Sequence, residues 1–139
     1  AIAEMIRAGT TCFNDMYFFP DSTIEVCLET GMRASIGITI IEIESAWATG
    51  VDDYIEKGLR LVEKWQSQPL INFTLSPHAP YTVSDETLRR VSALSKEQGF
   101  PVHMHLLETE WEIKQSHQQH DLHPLNRSCP PKTSTGWRT

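Results

Sequence analysis

The sequence predicts an α/β domain built around a parallel sheet, and three observations carry that expectation. Strand-like segments start near Thr10, Arg33, Leu70 and Pro101, each followed by a helix-like one, so the order is a helix and then strand–helix four times over. A spacing of roughly 25–35 residues suits βαβ units with right-handed crossovers. The stretch from Arg33 to Ile43 is nearly continuous in apolar and β-branched residues, as in a strand buried on both faces. Glycine or proline punctuates the junctions at Gly9, Pro20, Gly31, Pro69 and Gly99.

Taken in order, Ile2, Met5 and Ile6 stand at helical spacing before Gly9, and the short β-rich run Thr10–Met16 reads as a strand. Pro20-Asp21 ends the connection that follows. Ser22-Thr23-Ile24-Glu25 has the form of a capping box, with Asp21 as a second possible cap, for a helix running to Thr30. Gly31 stops that helix. After the strand from Arg33, Thr49-Gly50-Val51-Asp52 opens a helix with Tyr54, Ile55, Leu59, Val62 and Trp65 on one stripe. Leu70–Leu75 reads as a strand closed by Ser76-Pro77. Thr82-Val83-Ser84-Asp85 starts a helix carrying Leu88, Val91 and Leu94, stopped at Gly99. Pro101–Leu107 reads as the fourth strand, and Glu110–Gln119 as a helix.

The chain has 139 residues, enough for one ordinary domain. Twelve Lys and Arg against eighteen Asp and Glu give a net charge of −6, which argues against nucleic acid as a partner. Apolar runs such as Ile36–Ile41 fall far short of the ~20 residues of a membrane span, so no membrane partner is expected. No basic-then-apolar leader is read at the start, and Ala1 in place of Met points to sequence upstream. Cys12, Cys27 and Cys129 are widely spaced, form no CxxC, and read as reduced thiols, hence a cytoplasmic location. Seventeen acids and eight bases precede Lys114, whereas one acid and four bases lie from Lys114 onward. From Leu125 the sequence loses apolar periodicity and turns rich in Pro, Ser and Thr. The stretch 125–139 is therefore expected to be an irregular, disordered tail foreign to the domain, such as an out-of-frame segment.

Residues suited to chemistry gather at strand ends. In His103-Met104-His105-Leu106-Leu107-Glu108, residues two apart share a strand face, so two imidazoles with a carboxylate beyond them suit a divalent metal and a proton shuttle. The same pattern also suits two ordinary histidines in a half-buried strand. Ser76-Pro77-His78-Ala79-Pro80-Tyr81 holds His78 between two prolines, either as a substrate or metal contact or as a rigid turn facing water. Asp15, at the end of Phe13-Asn14-Asp15, reads first as a turn residue. His117, His120 and His123 recur every third residue among neutral and polar neighbours, a pattern that resembles a metal cluster but lies in or beside the tail. Trp47, Trp65 and Trp111 read as packing residues. P-loop, GxGxxG, GxSxG and paired CxxC motifs are absent.

Four segments in order, Glu4–Met16, Gly31–Ala34, Ser76-Pro77-His78-Ala79-Pro80-Tyr81-Thr82-Val83-Ser84 and His103-Met104-His105-Leu106-Leu107-Glu108-Thr109, resemble the amidohydrolase superfamily. The likeness lies close to the 5-methylthioadenosine/S-adenosylhomocysteine deaminases and the chlorohydrolase-like enzymes around them. It implies a (β/α)8 TIM barrel binding one divalent metal, zinc in most members. Residues 1–124 would form a partial barrel of about four βα units, strands two to five, since a whole barrel takes about 250 residues. By the same resemblance His105 is a metal ligand. Glu108 touches the substrate and carries the proton in catalysis, and His78 contacts the substrate or its leaving group. The implied reaction is hydrolytic deamination of a small purine-like molecule by a homo-oligomeric parent enzyme. The family's remaining metal ligands would lie before Ala1 and after Leu125, which leaves the fragment inactive alone. Two other expectations stay open: another amidohydrolase reaction, such as deamination of a guanine-like ring or deamination or dechlorination of a triazine, and a non-catalytic α/β domain.

Overall fold

A computed structural model describes residues 1–128. Its elements are α1 (Ile2–Arg7), β1 (Cys12–Asp15), α2 (Pro20–Thr30), β2 (Arg33–Ile40), α3 (Val51–Trp65), β3 (Ile71–Pro77), α4 (Asp85–Gln98), α5 (Glu110–His120) and α6 (Pro124–Ser128). The three strands form one parallel sheet in the order β1-β2-β3, with Ile36 opposite both Asp15 and Phe73. Central β2 is buried from Ile36 through Ile40, as its continuous apolar run requires. Helices α2, α3 and α4 pack on this sheet. Their apolar stripes, Ile24 and Cys27, Ile55 and Val62, and Val91, join Ile36, Ile38, Phe73 and Leu75 in the main core. Gly58 lets α3 approach β2, because a Cβ there would overlap the Ile38 side chain. Among the described residues no helix is long and apolar enough to cross a membrane.

Local signals set several boundaries. Ser84 caps α4 by accepting from the Thr87 amide at 3.2 Å. Gly31 and Gly99 close α2 and α4 at φ of 72° and 74°, where only glycine is unstrained. The start of α2 differs from the expected capping box. Pro20 is already helical, following Phe19 at φ 57°, and no side chain caps the helix. Proline is preorganised for the first helical position, which leaves Asp21 free to accept from Lys64 Nζ and Trp65 Nε1, each at 2.8 Å.

The expected fourth strand does not form as an element. Pro101–Leu107 runs beside β3 but makes one isolated parallel bridge, Leu75 to Val102. The cause lies in β3. Alternate residues of a parallel strand bond to opposite neighbours, and the His78 amide donates to Ile40 on the β2 side. Leu75 therefore faces the other side, donating to Pro101 and accepting from His103. The next rung on that side falls on Pro77, which has no N–H. The ladder breaks there, and His105 donates instead to the carbonyl of His78 at 3.0 Å.

The segment after Pro124 also departs from the expected irregular tail, since residues 125–128 belong to α6. Arg127 anchors it. Its side chain is 6% exposed, and its guanidinium pairs with Asp85 and donates to the carbonyls of Pro80 and Val83. Residues 129–139, including Cys129 and most of the expected tail, lie outside the described residues.

Candidate active site

The C-terminal end of β3 and the broken edge beside it bring together His78, His105, Tyr81 and Glu108. His78 follows β3 directly. Its Nδ1 is tied to Thr82 Oγ1 at 2.9 Å, and the same hydroxyl accepts from the Ala79 amide at 3.1 Å. The two prolines around His78 and this hydroxyl fix the imidazole. His105 meets it edge to face, with ring centroids 5.2 Å apart at 77°. Burial, and then the neighbouring His105, push the His78 imidazole below its ordinary pKa, with Glu108 acting the other way. His105 is exposed, and no side chain among the described residues hydrogen-bonds its ring.

Glu108 projects from the turn before α5. Its Oε2 accepts from the Tyr81 hydroxyl at 2.9 Å. Burial and then this hydrogen bond raise the Tyr81 phenol above its ordinary value, so it stays a donor. Tyr81 also meets His78 and Trp111 edge-on, at 6.1 and 5.6 Å between centroids. Trp111, expected to be a packing residue, is 55% exposed beside Tyr81. Trp47 and Trp65 do pack, Trp47 against Tyr54 and Trp65 against the main core.

The Asn14 side chain donates to His103 Nδ1, drawing that ring toward β1. Asp15 accepts from Thr23 Oγ1 at 3.1 Å, a local contact between β1 and α2. His117 and His123 stand 5.9 Å apart between ring centroids. Among the described residues no three His, Cys, Asp or Glu side chains group to hold a metal ion. A catalytic zinc takes three protein ligands. The described residues thus offer at most part of such a site, with His105 the exposed imidazole available to it.

Sequence reasoning missed Glu112, Tyr81 and Thr82. Glu112 was legible in Thr109-Glu110-Trp111-Glu112, which has the capping-box spacing. Thr109 does cap α5, accepting from the Glu112 amide at 3.1 Å.

The amidohydrolase family model matches residues 1–129. The chain is 45% identical over 127 residues to the 5-methylthioadenosine/S-adenosylhomocysteine deaminase of Saccharophagus degradans, across 91% of this chain and 28% of that protein. It superposes with a TM-score of 0.88 on the crystal structure of an adenosine deaminase from Xanthomonas campestris with bound zinc, at 43% identity, over 92% of this chain and 29% of that one. A triazine hydrolase variant gives a TM-score of 0.80 over 91% of this chain and 32% of that one, but at 16% identity the likeness is of fold alone. The chain spans less than a third of the length of these relatives. With the family model covering nearly all of its length, the chain belongs to the amidohydrolase family.

Proposed function

We propose that this chain is a segment of a metal-dependent aminohydrolase that removes the amino group from a purine nucleoside such as methylthioadenosine or S-adenosylhomocysteine. On this reading the segment supplies strands two to five of a (β/α)8 barrel in a cytoplasmic homo-oligomer. The observation that carries it is the meeting of His78, His105 and Glu108 at the C-terminal end of β3, where parallel α/β folds place their chemistry, in a chain 45% identical to a relative of that name.

His105 would hold a divalent metal, zinc, together with ligands outside the described residues. A bound metal of this kind lowers the pKa of water and so supplies a nucleophile near neutral pH. Glu108 would serve as the positioned general acid–base, holding a proton on its carboxylate for a ring nitrogen of the substrate. Tyr81 orients the Glu108 carboxylate through its hydroxyl. His78, held on Nδ1 by Thr82, turns its other ring nitrogen to the substrate or to the leaving amine.

The purified 139-residue chain with added zinc is expected to release no ammonia from methylthioadenosine, S-adenosylhomocysteine or adenosine above a His105→Ala control. The full-length enzyme that contains it is expected to do so. A full-length enzyme inert on all three, yet active on a guanine-like ring or a triazine, would overturn the substrate class.

A further inference from the structure

Glu112 is the one Asp or Glu among the described residues that is buried, at 1% exposure. Burying a carboxylate is costly unless its oxygens are hydrogen-bonded. Here Oε1 accepts from the Leu107 amide at 3.0 Å and Oε2 from the Glu108 amide at 2.8 Å. In an ordinary capping box the acid of the first turn returns to the amide of the cap residue, which in α5 is Thr109. Glu112 reaches past Thr109 to the two amides before it. Those amides belong to the turn that carries Glu108 and are not among the unpaired donors of the helix. The turn itself is held against preference, because Leu107 has φ 59°, a region that L-residues other than glycine rarely enter.

We propose that Glu112 is a positioning residue, whose buried carboxylate clamps the Leu107 and Glu108 amides so that the Glu108 carboxylate meets the substrate in one orientation. Tyr81 steadies the other end of the same side chain. The proposal rests on the reading of Glu108 as the proton carrier.

The test uses the full-length enzyme that contains this segment, with Glu112→Gln, Glu112→Ala, Thr109→Ala and Glu108→Gln. Glu112→Gln keeps the shape but sets an NH2 against one of the amides. It is expected to lower kcat by about tenfold or more, with KM within about threefold and metal content and Tm near those of the parent. Amide hydrogen exchange at Leu107 and Glu108 should rise in both Glu112 variants. Thr109→Ala weakens the helix cap but leaves the clamp, and should keep kcat within about twofold. Unchanged kcat in Glu112→Gln, or an equal loss in Thr109→Ala, would overturn the proposal. So would a loss of kcat that follows KM, metal content and Tm together. Turnover retained by Glu108→Gln would overturn the reading of Glu108 and this proposal with it. Turnover lost in Glu108→Gln but kept in Glu112→Gln would overturn the proposal alone.

Discussion

The His105 amide donates to the carbonyl of His78 at 3.0 Å, and the two imidazoles meet edge to face 5.2 Å apart. A backbone bond and a ring contact thus set the spacing of two residues from different segments. In the full-length enzyme, His105→Ala is expected to lower bound metal per protomer, whereas His78→Ala should keep the metal and lose turnover. Elemental analysis beside an ammonia-release assay separates the two. Metal retained by His105→Ala would sink the ligand assignment.

Tyr81 gives Glu108 one hydrogen bond, 2.9 Å long. Tyr81→Phe removes that donor and keeps the ring against His78 and Trp111. A loss of about 1 kcal/mol is expected, roughly fivefold in kcat, against about 10²-fold to 10⁴-fold for Glu108→Gln. Steady-state kinetics on both variants checks the ratio.

Arg127 ties α6 to the loop before α4 through Asp85 and the carbonyls of Pro80 and Val83. Arg127→Ala leaves three acceptors without this partner and is expected to cost about 2 kcal/mol. A denaturant midpoint unchanged by the substitution would show that α6 contributes nothing to the fold.

Gly58 faces Ile38 with no room for a Cβ. Gly58→Ala is therefore expected to destabilise the chain by about 1–3 kcal/mol through overpacking, although alanine favours helix by roughly 1 kcal/mol. Thermal unfolding should show the net loss. A raised Tm would mean that α3 can shift away from β2.

Glu42 accepts from the Ser84 amide at 2.8 Å and from the Thr87 hydroxyl. Burial alone would raise its pKa, but these hydrogen bonds and the charge of Arg127 outweigh it and hold the carboxyl below its ordinary value. A folded pKa below the unfolded one gives stability that is full above the unfolded value and lost as pH falls through the folded value. The Tm difference between the parent and Glu42→Gln should therefore be largest near neutral pH and shrink below about pH 4. A constant difference across that range would rule out the linkage.

The sequence by itself determined the features that depend on near neighbours. Gly31 and Gly99 stop helices because the left-handed turn is a property of one residue. Ser84 caps α4 across three positions, and the apolar run of β2 marks a strand buried on both faces. The motifs around His78 and around His105 and Glu108 were also visible, because each is contiguous. Tertiary structure alone decided what depends on distant partners. Asn14 meets His103 across 89 positions, a partner that nothing within the motif specifies. Pro77 interrupts the ladder beside β3, so an extended segment with good strand composition keeps a single bridge. Trp111 meets Tyr81, whose hydroxyl reaches Glu108, only once α5 is docked. Glu112 carried a local signal as a helix cap, but its reach to Leu107 and Glu108 follows from burial of the whole turn. Short-range preferences are written residue by residue, whereas the choice among competing hydrogen-bond partners is settled only when packing excludes water from all but one.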